Sequence, residues 1–340
     1  MAPGQWQFGG KIQEGFIIAH RSSIVHLQKE HVKGIEIDRL WQTDGSANWH
    51  HLYNFPLIGF GYQFFYLGNK EELGNGQCIT GLIHFPILKN KRMRLNYKLG
   101  LGIGYVDKPF NLTDNYKNLI IGSHFNAAIT TGLQYRFRSN RYNQFYTGID
   151  FTHFSNGASK VPNLGINITT ANIGFMHCFG KDTQLKRDTN AITKNKNETT
   201  FLVAFGAKEL YPPKNAVYGV VIFTGDRNYR VSQKSKLGAG TDFFIDNSTP
   251  AKLFGDSIFI SGFKSMARGG IHVSYGLEIG RCSGYIQTGY YVYTKVKSDG
   301  NIYSQLSIRY LFTKHLFACF NLKTHYARAD YFQYGIGYKI

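Results

Sequence analysis

Apolar and polar residues alternate one by one along most of this chain. Because the side chains of a β-strand point to opposite faces in turn, this alternation predicts strands with one apolar and one polar face. The clearest case is the stretch 143–155. One face of it carries Phe145, Thr147, Ile149, Phe151, His153 and Ser155, and the other carries Gln144, Tyr146, Gly148, Asp150, Thr152 and Phe154. The pattern recurs up to the last residues of the chain, so we expect an all-β protein.

Alternating segments of about ten residues between turns are typical of transmembrane β-barrels, whose apolar face points into lipid. A soluble β-sandwich alternates as well, but long strands with Arg and Lys on the polar face fit it poorly. Counting the candidate strands predicts a transmembrane antiparallel β-barrel of about 14–16 strands. The alternative is an eight-stranded barrel of residues 1–180 followed by a second barrel-like half.

A polar, charged segment at 181–198 separates the first eight candidate strands from the others. It fits a flexible linker between two barrels, and it equally fits a long turn within one barrel. We favour a single outer-membrane barrel over 1–340, because two membrane barrels in one chain are rare. Residues 1–180 and 199–340 then form its two halves.

Composition agrees with a membrane barrel. The 23 Tyr and 27 Phe residues suit aromatic girdles at the two membrane interfaces, and the 38 Gly residues suit tight turns and a crowded lumen. No run of 18 apolar residues suggests a membrane-spanning helix. We expect the outer membrane of a Gram-negative bacterium, with a removed signal sequence ahead of Met1.

The net charge of +18 raises the question of a nucleic-acid partner. The basic residues are spread along the chain, however, and no basic helix, zinc finger or aromatic platform for RNA is visible. An anionic lipid of the outer leaflet, such as lipid A, is the better partner, since its phosphates pair with Arg and Lys. A protein partner stays open. The four cysteines show no metal-like spacing, and we expect neither a metal nor a cofactor.

Candidate chemistry lies where the strand 143–155 ends. A serine hydroxyl becomes a nucleophile when a base takes its proton and a third group holds the imidazole in the right tautomer. His153 and Ser155 lie side by side on the apolar face, and Asn167 of the next strand points outward beside His153. An Asn oxygen can accept from the imidazole, although it stabilises imidazolium less than a carboxylate does. The plainer interpretation is a pair of polar residues at a membrane interface, with Asn156-Gly157 as a simple hairpin turn.

The segment His153-Phe154-Ser155-Asn156, followed by Pro162-Asn163-Leu164-Gly165, resembles the active-site strand and loop of the lipid A 3-O-deacylase family. Members of that family are outer-membrane barrels that remove an ester-linked acyl chain from lipid A, and the resemblance covers about residues 1–180. It implies Ser155 as nucleophile, His153 as general base, the Asn156 side chain and the Ala158 N–H as oxyanion donors, and Gly157, Pro162, Asn163 and Gly165 as the loop motif. The family's acid is a Glu two residues after the motif's Gly, where this chain has Asn167.

Three hypotheses about function follow. The first is a serine esterase that deacylates lipid A in the outer leaflet. The second is a catalytically silent barrel that binds a lipid or a partner protein, suggested by Asn167 in place of the acid. The third is a porin, because 14–16 strands are enough to enclose a channel.

Overall fold

The computed structural model describes residues 5–180, 197–213, 215–259, 262–326 and 328–340. Its described residues form two closed antiparallel β-barrels of eight strands each. In both barrels every strand pairs with its neighbours in the chain, and the first strand pairs with the eighth. Among the described residues, no helix has both the length and the apolar character that crossing a membrane requires.

The first barrel contains β1 to β8. Its strands are β1 Trp6–Ile17, β2 Val32–Gln42, β3 Leu57–Tyr66, β4 Asn75–Lys89, β5 Met93–Val106, β6 Phe125–Arg138, β7 Asn143–Ser155 and β8 Ile166–Phe179. A 3-10 helix, Ser22–Leu27, follows β1, and the short helix α1, Asn48–Leu52, lies between β2 and β3.

The second barrel contains β9 to β16. Its strands are β9 Glu198–Glu209, β10 Val217–Arg230, β11 Ser235–Asp246, β12 Ala267–Ile279, β13 Cys282–Tyr293, β14 Ile302–Leu311, β15 Leu316–His325 and β16 Arg328–Lys339. Two short helices, α2 Thr249–Gly255 and α3 Phe263–Met266, lie between β11 and β12.

The preference for a single barrel is wrong, and the two-barrel alternative is the observed architecture. The closing strand pair of each half shows why. β1 runs antiparallel to β8, with Gly10 opposite Phe175, and β16 runs antiparallel to β9, with Tyr334 opposite Phe205. The backbone groups of β1 and β8 are therefore paired within the first half, and no edge is left to join a larger sheet. Most of the predicted connection 181–198 lies outside the described residues.

The lumen of the first barrel is filled by side chains rather than by an open channel. Lys11 and Lys98 each form ion pairs with Glu36 and Asp150, and all four side chains are buried. Eight strands enclose an interior just wide enough for side chains. The charges inside balance one another, which removes much of the cost of burying them.

The second barrel is filled in the same way. The Nε2 atom of His272 lies 2.8 Å from Asp226, and its Nδ1 atom lies 2.8 Å from Asp242. Arg309 also contacts Asp226, at 2.8 Å. These side chains are buried as well. The porin hypothesis required one wide lumen of 14–16 strands, and two packed eight-stranded lumens contradict it.

One end of the first barrel, here called the site end, carries the loops 18–31, 67–74, 107–124 and 156–165. Apolar side chains of these loops pack onto the lumen-facing ends of the strands. The buried cluster includes Ile24, Leu27, Leu73, Ile120 and Ile121 from the loops and Phe65, Val106 and Phe154 from the strands. The loops at this end are therefore held by a small apolar core, which gives the residues they carry fixed positions.

Candidate active site

At the end of β7, the side chains that the sequence predicts to point outward do so in the structure. Phe145 and Ile149 are exposed on the outer face, whereas Tyr146 and Asp150 are buried in the lumen. His153 continues the outward row and pairs directly with Asn167 of β8. β7 and β8 are antiparallel neighbours, and this register brings the two side chains next to each other on the outer face.

His153 and Asn167 form a hydrogen bond. The Nδ1 atom of His153 lies 2.6 Å from Oδ1 of Asn167. A carbonyl oxygen only accepts, so Nδ1 is the protonated nitrogen of the neutral ring. The other nitrogen, Nε2, then holds the lone pair that a general base uses.

Ser155 ends β7 on the same face, and the loop folds onto it. The residue is only 6% exposed. Asn163 of the loop 156–165 donates from Nδ2 to the Ser155 Oγ at 3.0 Å. The Asn163 oxygen accepts the backbone N–H of Asn156 at 3.1 Å, which fixes the orientation of the amide. An amide N–H therefore points at the atom that would attack an ester.

The two residues for which the resemblance implied an oxyanion role have different surroundings. The Asn156 side chain is buried and donates from Nδ2 to the Ser123 hydroxyl at 2.8 Å. This bond ties the start of the loop 156–165 to the loop 107–124. Ala158 has a φ of +59°, and Gly157 before it has a φ of +62°, so the chain turns sharply after Ser155. The roles of both residues stay predictions, and Asn163 is a donor that the sequence did not single out for this purpose.

The backbone of Gly165 packs against the imidazole ring of His153. It has a φ of +83°, a left-handed conformation that favours glycine. A Cβ atom built on it would lie 2.5 Å from Cε1 of His153. The ring thus packs directly on the backbone at this position, and the motif's glycine is needed both for its conformation and for its lack of a side chain. Pro162 is buried just before Asn163 in the same loop.

His20 is a neighbour of the site that sequence reasoning missed. Its Nδ1 atom lies 3.0 Å from Nδ2 of Asn167. It follows β1, which is adjacent to β8 only because the first eight strands close on themselves. An eight-stranded first barrel, which the sequence offered as an alternative, places β1 beside β8 and so predicts that His20 lies near Asn167. The single large barrel that was preferred places β1 beside the last strand of the chain instead.

Two family profiles match the sequence of this chain, one in each barrel. The profile of the family described as lipid A 3-O-deacylase matches residues 35–176, and the profile described as acyloxyacyl hydrolase, C-terminal domain, matches residues 197–340. The chain belongs to the lipid A 3-O-deacylase family. The predicted family, with its outer-membrane β-barrel and its lipid A substrate, is thereby confirmed. No curated protein matches the sequence.

The solved structures that align with the chain include a porin and an outer membrane phospholipase, both of low similarity. A triple mutant of the Rhodopseudomonas blastica porin is 6% identical, with 98% of this chain and 99% of that chain covered and a TM-score of 0.19. Outer membrane phospholipase A from Escherichia coli is 9% identical, with 98% and 92% covered and a TM-score of 0.20. Scores this low do not indicate a shared arrangement of strands.

Proposed function

We propose that this lipid A deacylase acts as a serine esterase through Ser155, His153 and Asn167 on the outer face of the first barrel. The observation that carries the proposal is the hydrogen bond from His153 Nδ1 to Asn167 Oδ1. It leaves Nε2 as the basic nitrogen on the strand face that also carries Ser155. A base beside a serine, oriented by a third group, is the arrangement that activates a hydroxyl nucleophile.

The reaction follows from these positions. The Ser155 Oγ attacks the carbonyl carbon of an ester-linked acyl chain while its proton passes to His153 Nε2. The carbonyl oxygen becomes an oxyanion, and the Asn163 amide N–H, which lies 3.0 Å from the attacking atom, is a donor that can stabilise it. Collapse of this intermediate breaks the ester bond, and the leaving sugar hydroxyl takes its proton from His153. A water molecule, activated by His153 in turn, then hydrolyses the acyl-serine and releases a fatty acid.

The outward position of the site suits a lipid substrate. Along β7 away from the loop 156–165, the outer face that carries His153 continues through Phe151 to Ile149, which is exposed. A lipid can therefore reach the site by lateral diffusion while its chains stay in hydrocarbon. A site in the lumen would instead require acyl chains to enter a polar interior, at a cost of about 0.8 kcal/mol for each CH₂ group.

The experiment that tests the proposal is the Ser155→Ala variant. We expect the purified variant to keep its folded barrel and to release no fatty acid from lipid A, because the nucleophile is lost and the change is small. His153→Ala should lose activity to a similar extent, since base and nucleophile act as a unit. Ser139→Ala, an exposed serine in the turn at the other end of β6 and β7, is the matched control.

Fatty acid release is measured by mass spectrometry of lipid A before and after incubation. If Ser155→Ala releases fatty acid at the rate of the unchanged protein, Ser155 is not the nucleophile and the proposal fails. If neither the unchanged protein nor any variant releases fatty acid, the silent lipid-binding barrel becomes the better description.

A further inference from the structure

His20 reaches the candidate site through an extension of the β1–β8 pairing. Beyond the end of β1, the Ile18 N–H donates to the Asn167 carbonyl oxygen at 2.8 Å. The His20 N–H then donates back to the Ile18 carbonyl oxygen at 3.1 Å, which turns the chain. These two bonds hold His20 beside Asn167, with its Nδ1 atom 3.0 Å from the Asn167 Nδ2 atom.

The chemistry of the amide assigns a direction to this contact. Amide nitrogen only donates, so the His20 Nδ1 atom accepts and carries no proton. The Asn167 amide is therefore held at both ends, by His20 at its nitrogen and by His153 at its oxygen. The three side chains form a line of hydrogen bonds from His153 through Asn167 to His20.

An amide needs such orientation, whereas a carboxylate does not. Both oxygens of a carboxylate accept, so it presents an acceptor to the imidazole whichever way it rotates. If an amide turns by 180°, its NH₂ group faces His153 Nδ1, and the ring must then carry its proton on Nε2. In that tautomer the imidazole cannot take a proton from serine. In a serine protease triad, the wrong imidazole tautomer caused by an Asn in place of the Asp costs about 10⁴-fold in kcat.

We propose that His20 is a positioning residue, which fixes the Asn167 amide in the orientation that makes His153 a base. The inference rests on the proposed function, because it concerns the same serine esterase site. It assigns His20 no contact with the substrate. It also explains how a chain with Asn in place of the family's Glu keeps its imidazole in the productive tautomer.

The first experiment compares kcat and KM of His20→Ala and His20→Gln with those of the unchanged protein on purified lipid A. We expect His20→Ala to lower kcat about tenfold at unchanged KM, close to the contribution of one hydrogen bond that fixes an orientation. His20→Gln should restore most of kcat, because its side-chain oxygen also accepts from the Asn167 NH₂ group. His31→Ala is the matched control, since the His31 side chain is 74% exposed and contacts Glu14 instead.

A double-mutant cycle separates orientation from other effects of His20. In an Asn167→Asp background, His20→Ala should change kcat by less than about twofold, because neither oxygen of the carboxylate has to be selected. An equal loss of kcat in both backgrounds would overturn the proposal. If His20→Ala retains the full kcat while Ser155→Ala is inactive, His20 has no positioning role and the proposed esterase still stands.

A second measurement does not depend on turnover. Nitrogen NMR of the ¹⁵N-histidine-labelled protein in detergent distinguishes the two tautomers of each ring, and the His153 and His20 signals are assigned by their absence in His153→Ala and His20→Ala. We expect His153 protonated on Nδ1 and His20 on Nε2 in the unchanged protein. In His20→Ala, a part of the His153 population should move to the Nε2 tautomer. An unchanged His153 signal in that variant would refute the proposal, whatever the activity of the protein.

Discussion

Gly165 offers a sharp test of the site, because it supports the His153 ring without contributing any side chain. In Gly165→Ala, the new Cβ atom would lie 2.5 Å from His153 Cε1, whereas ordinary van der Waals contact begins at 3.4 Å. The ring must therefore move by about 0.9 Å. A displacement of about 1 Å at a catalytic group costs roughly 100-fold in rate. We expect Gly165→Ala to lower kcat for lipid A deacylation by about that factor.

The same substitution also strains the backbone, since the φ of Gly165 is +83°. A left-handed conformation costs an alanine about 1–2 kcal/mol. Gly180 is the matched control, because it has a φ of +85° and no atom lies within 4 Å of its built Cβ. Gly165→Ala should lose at least as much free energy of unfolding as Gly180→Ala in urea titrations, because it adds a clash to the backbone strain, but only Gly165→Ala should lose activity. Equal activity of the two variants would refute the placement of His153 on Gly165.

Three further predictions address the acid, the lumen and the channel. Asn167→Asp should raise kcat for lipid A deacylation by tenfold or more, which corresponds to about 1.4 kcal/mol, because a carboxylate stabilises the imidazolium of His153. An unchanged or lower rate in the fatty acid assay would show that charge at this position does not limit the reaction. Lys98→Ala should reduce the free energy of unfolding by about 3–5 kcal/mol, because it removes a buried partner of Glu36, and urea unfolding compared with the exposed control Lys33→Ala measures this loss. The protein should show no steady conductance in planar lipid bilayers, because both lumens are packed, and porin-like current steps would contradict that packing.

The facing of the site residues could be predicted from the sequence, because it depends on parity alone. A strand repeats every two residues, so Phe145 and Ile149 fix the direction of His153 without any knowledge of the rest of the fold. The pairing of His153 with Asn167 was equally accessible, since β7 and β8 are neighbours in the chain. Local order along two strands was therefore enough to locate the central hydrogen bond of the site.

The closure of the barrels could not be read in the same way. β8 would satisfy its free edge equally well by pairing with β1 or with β9, and the alternating pattern of all three strands is the same. The choice is made by long-range backbone pairing, such as that of Gly10 with Phe175. The preference for a single barrel therefore hid the contact between His20 and Asn167, because these residues are neighbours only when β1 lies next to β8.

Loop conformation set a second limit. The sequence identified Asn163 and Gly165 as parts of a motif, but it did not show that the Asn163 amide reaches Ser155 or that the imidazole rests on Gly165. Both contacts depend on the turn made by residues with positive φ after Ser155. Such turns are determined by packing onto the apolar core of the neighbouring loops, which involves residues distant in the chain.

Asn167 stands beside His153 where a carboxylate would otherwise lie, and the position of the site helps to explain why an amide is stable there. The site lies on the outer face, at the end of a strand whose lower part is exposed to lipid. An ionised carboxylate near hydrocarbon has a high desolvation cost, which an amide avoids. In the lumen, Glu36 and Asp150 avoid it differently, because Lys11 and Lys98 lie against them. In the proposed mechanism, the site therefore combines an oriented base with little stabilisation of the positive charge that forms on it. A slow esterase is the expected result, and its rate should depend both on how well the amide is oriented and on whether position 167 carries a charge.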